Sequence, residues 1–125
     1  MRTIKFRAWV KPDKCMIEHR ETIERAHLQF NDELGGHKDI IMQFTGLKDK
    51  NGKEIYEGDI LAPMSNDFHP KYEGKWIVDF EGGTFIAKCK DGDNSQWLSY
   101  WSYDIYAETE IIGNIYENKD LLKGN

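Results

Sequence analysis

Short apolar stretches separated by turn-forming residues run through most of this chain. Residues 3–9 alternate in polarity, which predicts an antiparallel strand with one face toward the protein and one toward solvent. Lys5, Arg7 and Trp9 would lie on the solvent face. A turn at residues 11–14 and a return strand at 15–19 complete a predicted N-terminal hairpin.

The pattern predicts an insertion at about residues 20–37. Ile23, Ala26, Phe30 and Leu34 recur at helical spacing, and Thr22 is placed to cap a helix. A helix is the first interpretation, and an irregular or extended segment is the alternative.

A barrel-like part is predicted to follow over residues 38–117. Its clearest unit is a hairpin of residues 75–80 and 84–89 around Gly82-Gly83. Its other apolar runs predict strands at 39–45, 53–56, 60–62 and 108–116. Asn118 is placed to cap a short C-terminal helix at residues 119–122.

Glycine and asparagine mark the points where the backbone reverses or bends. We expect positive φ angles where a tight turn needs them, and Asp59 to hold a bend by bonding nearby backbone amides. The predicted structural motif consists of Gly46, Asn51, Gly52, Gly58, Asp59 and Gly113.

Six or seven short strands with one or two short helices predict a mainly β fold, α+β at most. The expected architecture is one domain over residues 1–125, a small antiparallel sheet or barrel. With 125 residues, 39% of them hydrophobic, the chain is long enough to bury one core.

Three sequence blocks carry a family resemblance. They are residues 4–9 (IKFRAW), residues 43–60 (QFTGLKDKNGKEIYEGDI) and residues 111–118 (IIGNIYEN). In this order they resemble the YopX family of small proteins from phages and prophages of Gram-positive bacteria. Val10 stands where the family commonly has aspartate, and Lys119 where a proline often follows the asparagine.

The resemblance implies a β-rich fold whose later half is similar to an SH3-like barrel. It implies a phage or prophage source, but no established activity and no catalytic residues to transfer. We therefore expect a protein in the cytoplasm of a bacterial host cell. No apolar run is long enough for a membrane span, and the charges near the N-terminus are unlike a signal peptide.

No residue pattern predicts an enzyme, a metal site or a cofactor. The run from Asp91 begins like a calcium loop but lacks the required glycine and final glutamate. The four histidines have no helical zinc spacing, and Cys15 and Cys89 lie far apart and are expected to be reduced. Glu57 and Asp59 suit acid–base chemistry only if they share a cleft, and a backbone role explains them better.

An aromatic cluster is the best functional candidate in the sequence. Three uses are open: filling the core, forming a surface for self-association or a partner protein, and stacking on nucleic-acid bases. Acidic neighbours and a net charge of −5 argue against nucleic acid. The cluster consists of Trp97, Tyr100, Trp101, Tyr103 and Tyr106.

The sequence therefore predicts a non-enzymatic domain that binds protein. The expected partner is another copy of the chain, or a host or phage protein. The alternative is a nucleic-acid-associated accessory protein with an SH3-like barrel.

Overall fold

The computed structural model describes residues 3–11, 13–30, 39–62, 74–89, 95–97 and 109–123. Within them, the strands are β1 (Phe6–Val10), β2 (Cys15–Ile17), β3 (Ile40–Lys48), β4 (Glu54–Tyr56), β5 (Asp59–Ala62), β6 (Trp76–Glu81), β7 (Thr84–Cys89), β8 (Ser95–Trp97) and β9 (Glu110–Asn114). The helices are α1 (His19–Phe30) and a 3₁₀ helix (Lys119–Leu122). The predicted mainly β fold is confirmed, while the SH3-like description of its later half stays a prediction.

The strands form two small antiparallel sheets, and the fold includes one curled half-barrel. The first sheet has the order β2-β1-β3-β4 and the second the order β8-β7-β6-β5-β9. The chain passes from the first sheet to the second between β4 and β5, across only Glu57 and Gly58. The Gly58 N–H donates to Val78 O and its carbonyl accepts from Ile115 N–H, so this crossing is tied to the second sheet.

The hairpin of β6 and β7 closes through Gly82 and Gly83. Both residues have positive φ, 62° and 80°, and Glu81 pairs directly with Thr84. A two-residue loop with positive φ at both positions matches the right-handed twist of the strands. The predicted hairpin is confirmed.

The main core lies in the second sheet and on the strands that border it. Trp76 is its largest fully buried side chain. Its members are Ile55, Leu61, Trp76, Val78 and Ala87, with Leu47, Phe85, Cys89 and Ile111 packed against them. A second cluster of Ala8, Val10 and Ile17 lies in the first sheet, where α1 packs on β1.

The predicted solvent face of β1 is wrong. Arg7 is only 8% exposed, and the Trp9 ring stacks on Tyr116 with 5.7 Å between ring centroids. Strand alternation shows which side chains share a face but does not show what covers that face. Here the segments around β5 and after β9 cover it.

The predicted helix exists, with a different start and a different buried side. It begins at His19, so Thr22 lies inside its first turns, where the hydroxyl donates to Glu18 O at 2.9 Å instead of capping. Thr22 is 2% exposed whereas Ile23 is 49% exposed, so Thr22 is buried at this turn in place of the predicted Ile23. The side chains of Ala26, Phe30 and Leu34 lie outside the described part of the chain. Residues 31–38 lie outside the described ranges.

Arg25 ties α1 to the start of β3. Its Nε and Nη2 donate to the two carboxylate oxygens of Asp39 at 2.7 and 3.1 Å. Such a two-point contact fixes orientation as well as distance. It holds the helix against the first sheet.

Two glycines test how much the crossing between the sheets depends on close packing. Gly46 and Gly58 have similar φ angles of 89° and 86°, but only at Gly58 would a Cβ meet neighbours, 3.2 Å from Met42 Sδ and 3.4 Å from Tyr116. We expect Gly46→Ala to lower the free energy of unfolding by about 1–2 kcal/mol through backbone strain. Gly58→Ala should cost about 1 kcal/mol more through overpacking. Urea unfolding measures both, and equal losses would contradict the packing argument.

Candidate functional site

Asp59 lies at the point where the two sheets meet. It begins β5, is 1% exposed, and its Oδ1 accepts a hydrogen bond from Arg7 Nη2 of β1 at 2.7 Å. Its Oδ2 accepts from the Tyr56 N–H of β4 at 2.8 Å, a backbone contact of the kind expected from the sequence. One carboxylate therefore contacts three strands.

Arg7 completes this arrangement. Its Nη2 also donates to Glu57 O at 3.2 Å, and its guanidinium lies 4.7 Å from the centroid of the Tyr56 ring. Burial raises the pKa of the Asp59 carboxyl, against the opposing effects of Arg7 and the Tyr56 amide. Burial also raises the pKa of Tyr56 to about 12. Each group here is largely buried and is held by its neighbours.

Asp49 plays a similar part in the turn before β4. Its Oδ1 accepts from the Asn51 and Lys53 N–H groups, each at 2.9 Å, and its Oδ2 accepts from Ile111 N–H at 3.0 Å. Burial raises the pKa of Asp49, but these three amides outweigh it and lower the pKa below its ordinary value of 3.8. Asp49 thus shapes the turn and fastens it to β9.

Glu57 also bonds the main chain, because its Oε1 accepts from Gln43 N–H at 2.8 Å. Glu57 and Asp59 were the acid–base candidates of the central motif. The structure places Asp59 in a buried pair and Glu57 against β3, so the two do not converge on one reacting position.

Asn114 and Asn118 organise the turn after β9. Asn114 Oδ1 accepts from the Tyr116 and Glu117 N–H groups at 3.0 and 2.9 Å, and Asn118 Oδ1 accepts from Asn114 N–H at 3.1 Å. A Cβ at Gly113 would lie 2.5 Å from Asn118 Oδ1, so this close approach requires glycine. The predicted side-chain cap by Asn118 is wrong, since only its carbonyl serves the 3₁₀ helix, accepting from Leu121 N–H at 3.0 Å.

The turn positions differ in their backbone angles. Gly46, Gly52 and Gly58 have positive φ, whereas Gly113 does not. Asn51 does not have the positive φ expected of it; among described non-glycine residues, only Lys14 does, at 51°. The Asp49 carboxylate explains this, because it bonds the Asn51 amide directly and builds the turn without a left-handed asparagine.

A polar cleft of about 520 Å³ opens beside the Arg7–Asp59 pair. One wall belongs to β1 and β2, and the other to β9 and the turn that follows it. Its charged and amide side chains are those of Arg7, Glu18, Lys53, Asp59, Asn114, Glu117 and Asn118. The volume falls within the range of small-ligand sites.

The aromatic cluster can be located only in part. Trp97 is the last residue of β8, where its backbone pairs with Ile86 of β7. Tyr100, Trp101, Tyr103 and Tyr106 lie outside the described residues, as does the Asp91 loop. The predicted interaction surface stays a prediction.

Other chemistry can be stated only for the described ranges. There, no group of three His, Cys, Asp or Glu side chains could hold a metal ion, and no helix is long and apolar enough to cross a membrane. Cys15 is exposed, Cys89 is half-buried, and both are free thiols. His19 Nδ1 accepts from the Phe6 N–H at 3.0 Å, so this histidine supports β1.

Sequence reasoning missed the parts played by Arg7, Asp49 and Asn114. Each lies inside a block that carries the family resemblance, and that position was the available signal. Asp49 and Asn114 are also followed within four residues by the amides that they bond, as in Asx turns. For Arg7 no local signal exists, since its partner is 52 positions away.

Comparison with known proteins places this fold in a family. A family model described as YopX protein matches residues 5–123. The chain belongs to the YopX family. Among solved structures, protein EF1440 from Enterococcus faecalis is similar, with 26% sequence identity and a TM-score of 0.64. The match covers 98% of this chain and 100% of that one. No curated protein matches the chain.

In this YopX protein we expect Arg7 and Asp59 to be strongly coupled. Arg7→Met or Asp59→Asn should each lower the free energy of unfolding by about 3–5 kcal/mol, because each leaves a buried charged or polar partner unpaired. The double variant should lose clearly less than the sum of the two. A double-mutant cycle by urea unfolding measures this coupling.

Lys5→Met is the matched control for that cycle. Lys5 lies two residues before Arg7, and its ion pair with Glu54 is over one-third exposed at the lysine side chain. Its loss should be less than about 1 kcal/mol. Additive effects at Arg7 and Asp59 would show that the buried pair does not hold the sheets together.

Asp49 should govern stability in acid. Because its pKa is lower in the folded state than in the unfolded state, its contribution is present above about pH 4 and is lost as pH falls through the folded pKa. Asp49→Asn should therefore flatten the loss of stability below pH 4 and cost stability at pH 7. Chemical unfolding at several pH values tests this, and parallel curves for both proteins would refute it.

Proposed function

We propose that this YopX protein is a phage or prophage protein that acts as a non-enzymatic binding domain in the cytoplasm of its host. Its partners are proteins, including further copies of itself. The contact surface is the aromatic cluster, Trp97, Tyr100, Trp101, Tyr103 and Tyr106.

The proposal that the protein is not an enzyme is supported by the hydrogen bonds of the carboxylates in the central motif. Asp49, Glu57 and Asp59 each accept at least one hydrogen bond from a backbone amide, and Asp59 also pairs with Arg7. A general acid or base must exchange a proton with a substrate. These carboxylates instead replace missing backbone partners, which supports a structural use of the motif.

The aromatic cluster supports binding for a different reason. The described core contains Trp76 and Phe85 together with aliphatic side chains from both sheets. Five further rings within ten residues are more than so small a core requires. Tyrosine and tryptophan are enriched at protein interfaces, where they provide a large contact area at low entropic cost.

Charge favours protein over nucleic acid as the partner. The cluster is flanked by Asp93, Asp104 and Glu108, and the chain has a net charge of −5. Single-strand binders combine stacking rings with a basic groove, and their affinity falls steeply with salt.

Light scattering at micromolar concentration tests self-association. We expect an oligomer, and we expect Trp101→Ala or Tyr103→Ala to shift the equilibrium toward the monomer by removing contact area. Trp9→Phe is the control, because it changes an aromatic residue that is not a member of the cluster and that stacks on Tyr116. It should leave the oligomer unchanged.

Two results would contradict this proposal. One is a monomer at every concentration together with no partner recovered by affinity capture from infected cells. The other is salt-dependent retention of oligonucleotides at low salt, which would favour a nucleic-acid-associated role.

A further inference from the structure

We propose that the polar cleft beside the Arg7–Asp59 pair binds a basic segment of a partner protein. The segment would place a lysine or arginine side chain between Glu18 and Glu117 and a backbone carbonyl toward Arg7. The lining of this cleft includes none of the five aromatic residues, so the proposal does not depend on the aromatic cluster.

The charges around the cleft favour a cation. The wall from the first sheet carries Arg7 and Glu18, and the wall beyond β9 carries Glu117; Asp59 and Lys53 complete the lining. Arg7 and Asp59 neutralise each other at 2.7 Å. Two carboxylates and one ammonium group are left, so the cleft has a net negative charge.

The two glutamates are available for such a contact. Both side chains are exposed, and within the described residues neither forms an ion pair. Asn114 Nδ2 donates to Glu117 Oε1 at 2.8 Å, which orients this carboxylate while leaving its second oxygen able to accept. A guanidinium or ammonium group suits both carboxylates.

Arg7 provides an independent observation. It is 8% exposed and lines the cleft, and its Nε is a buried donor for which no described group acts as acceptor. Buried donors in folded proteins almost always have an acceptor. Because this Nε has almost no solvent-accessible surface, the main-chain carbonyl of a peptide would reach it only after the Arg7 side chain shifts toward the cleft. A free metal cation or a protonated amine offers no such acceptor.

Titration with short blocked peptides tests the site. The probes are N-acetyl-Gly-Lys-Gly-amide and its arginine counterpart, against versions with norleucine or glutamate in the middle. We expect the basic peptides to shift the NMR amide signals of Ile112, Gly113 and Asn118, with weaker binding as salt rises. Glu18→Gln and Glu117→Gln should each weaken binding about threefold, and the double variant about tenfold.

Glu81→Gln is the matched control, since Glu81 is an exposed glutamate on the β6–β7 hairpin, outside the cleft lining. It should leave affinity unchanged, and unchanged melting temperatures should show that all variants fold. Equal binding of the norleucine peptide would overturn the proposal. The proposal would also be overturned if the glutamate peptide bound more tightly than the basic peptides and Lys53→Met abolished that binding. The absence of any NMR shift at the cleft would overturn it as well. Self-association is measured separately, so each proposal can fail alone.

Discussion

The two sheets depend on one carboxylate, that of Asp59. The chain crosses between them in two residues, and this short crossing brings β1, β4 and β5 to a single point where Arg7 and the Tyr56 amide both reach Asp59. A buried ion pair is not in itself a strong source of stability, because desolvation offsets much of the attraction. Its consequence here is geometric: any other placement of β1 relative to β5 would leave two charges buried without partners.

The side-chain oxygens of four more residues also accept hydrogen bonds from backbone amides; these residues are Asp49, Glu57, Asn114 and Asn118. Asp49 and Asn118 occupy the amides of Ile111 and Asn114 on β9, which is an edge strand. An edge with free amides can pair with another chain. Side-chain oxygens therefore both complete the fold and remove two donors that strand addition to β9 would use.

Local features of this fold could be predicted from the sequence, and contacts between distant segments could not. The β6–β7 hairpin was predictable because Gly82 and Gly83 determine its turn chemically. Arg7 was not, because alternation along β1 looks the same whether its second face meets water or another sheet. Thr22 and Ile23 show the same limit in the helix. Hydrophobicity favoured Ile23 for the core, yet Thr22 is the buried residue, and its hydroxyl donates to the carbonyls of Ile17 and Glu18. Four of the five charges that line the cleft lie within the family blocks, but their meeting was not predictable, since the five charges come from five separate segments.

The residues that identify the family are the ones that hold the fold together. Similarity at these residues therefore predicts the architecture of a relative better than it predicts the function. A relative that keeps Asp49, Gly58 and Asp59 must keep the crossing between the sheets, whatever it binds. Glu18 and Lys53 line the cleft, and neither side chain forms a hydrogen bond or ion pair with another described residue. Glu117 lines it too, with one carboxylate oxygen bonded to Asn114. Related chains with the same scaffold can therefore differ in the charge of this cleft and so in their partners. For the proposed binding at the cleft, the chemistry of these three positions carries more information than the carboxylates of residues 43–60 that hold the fold.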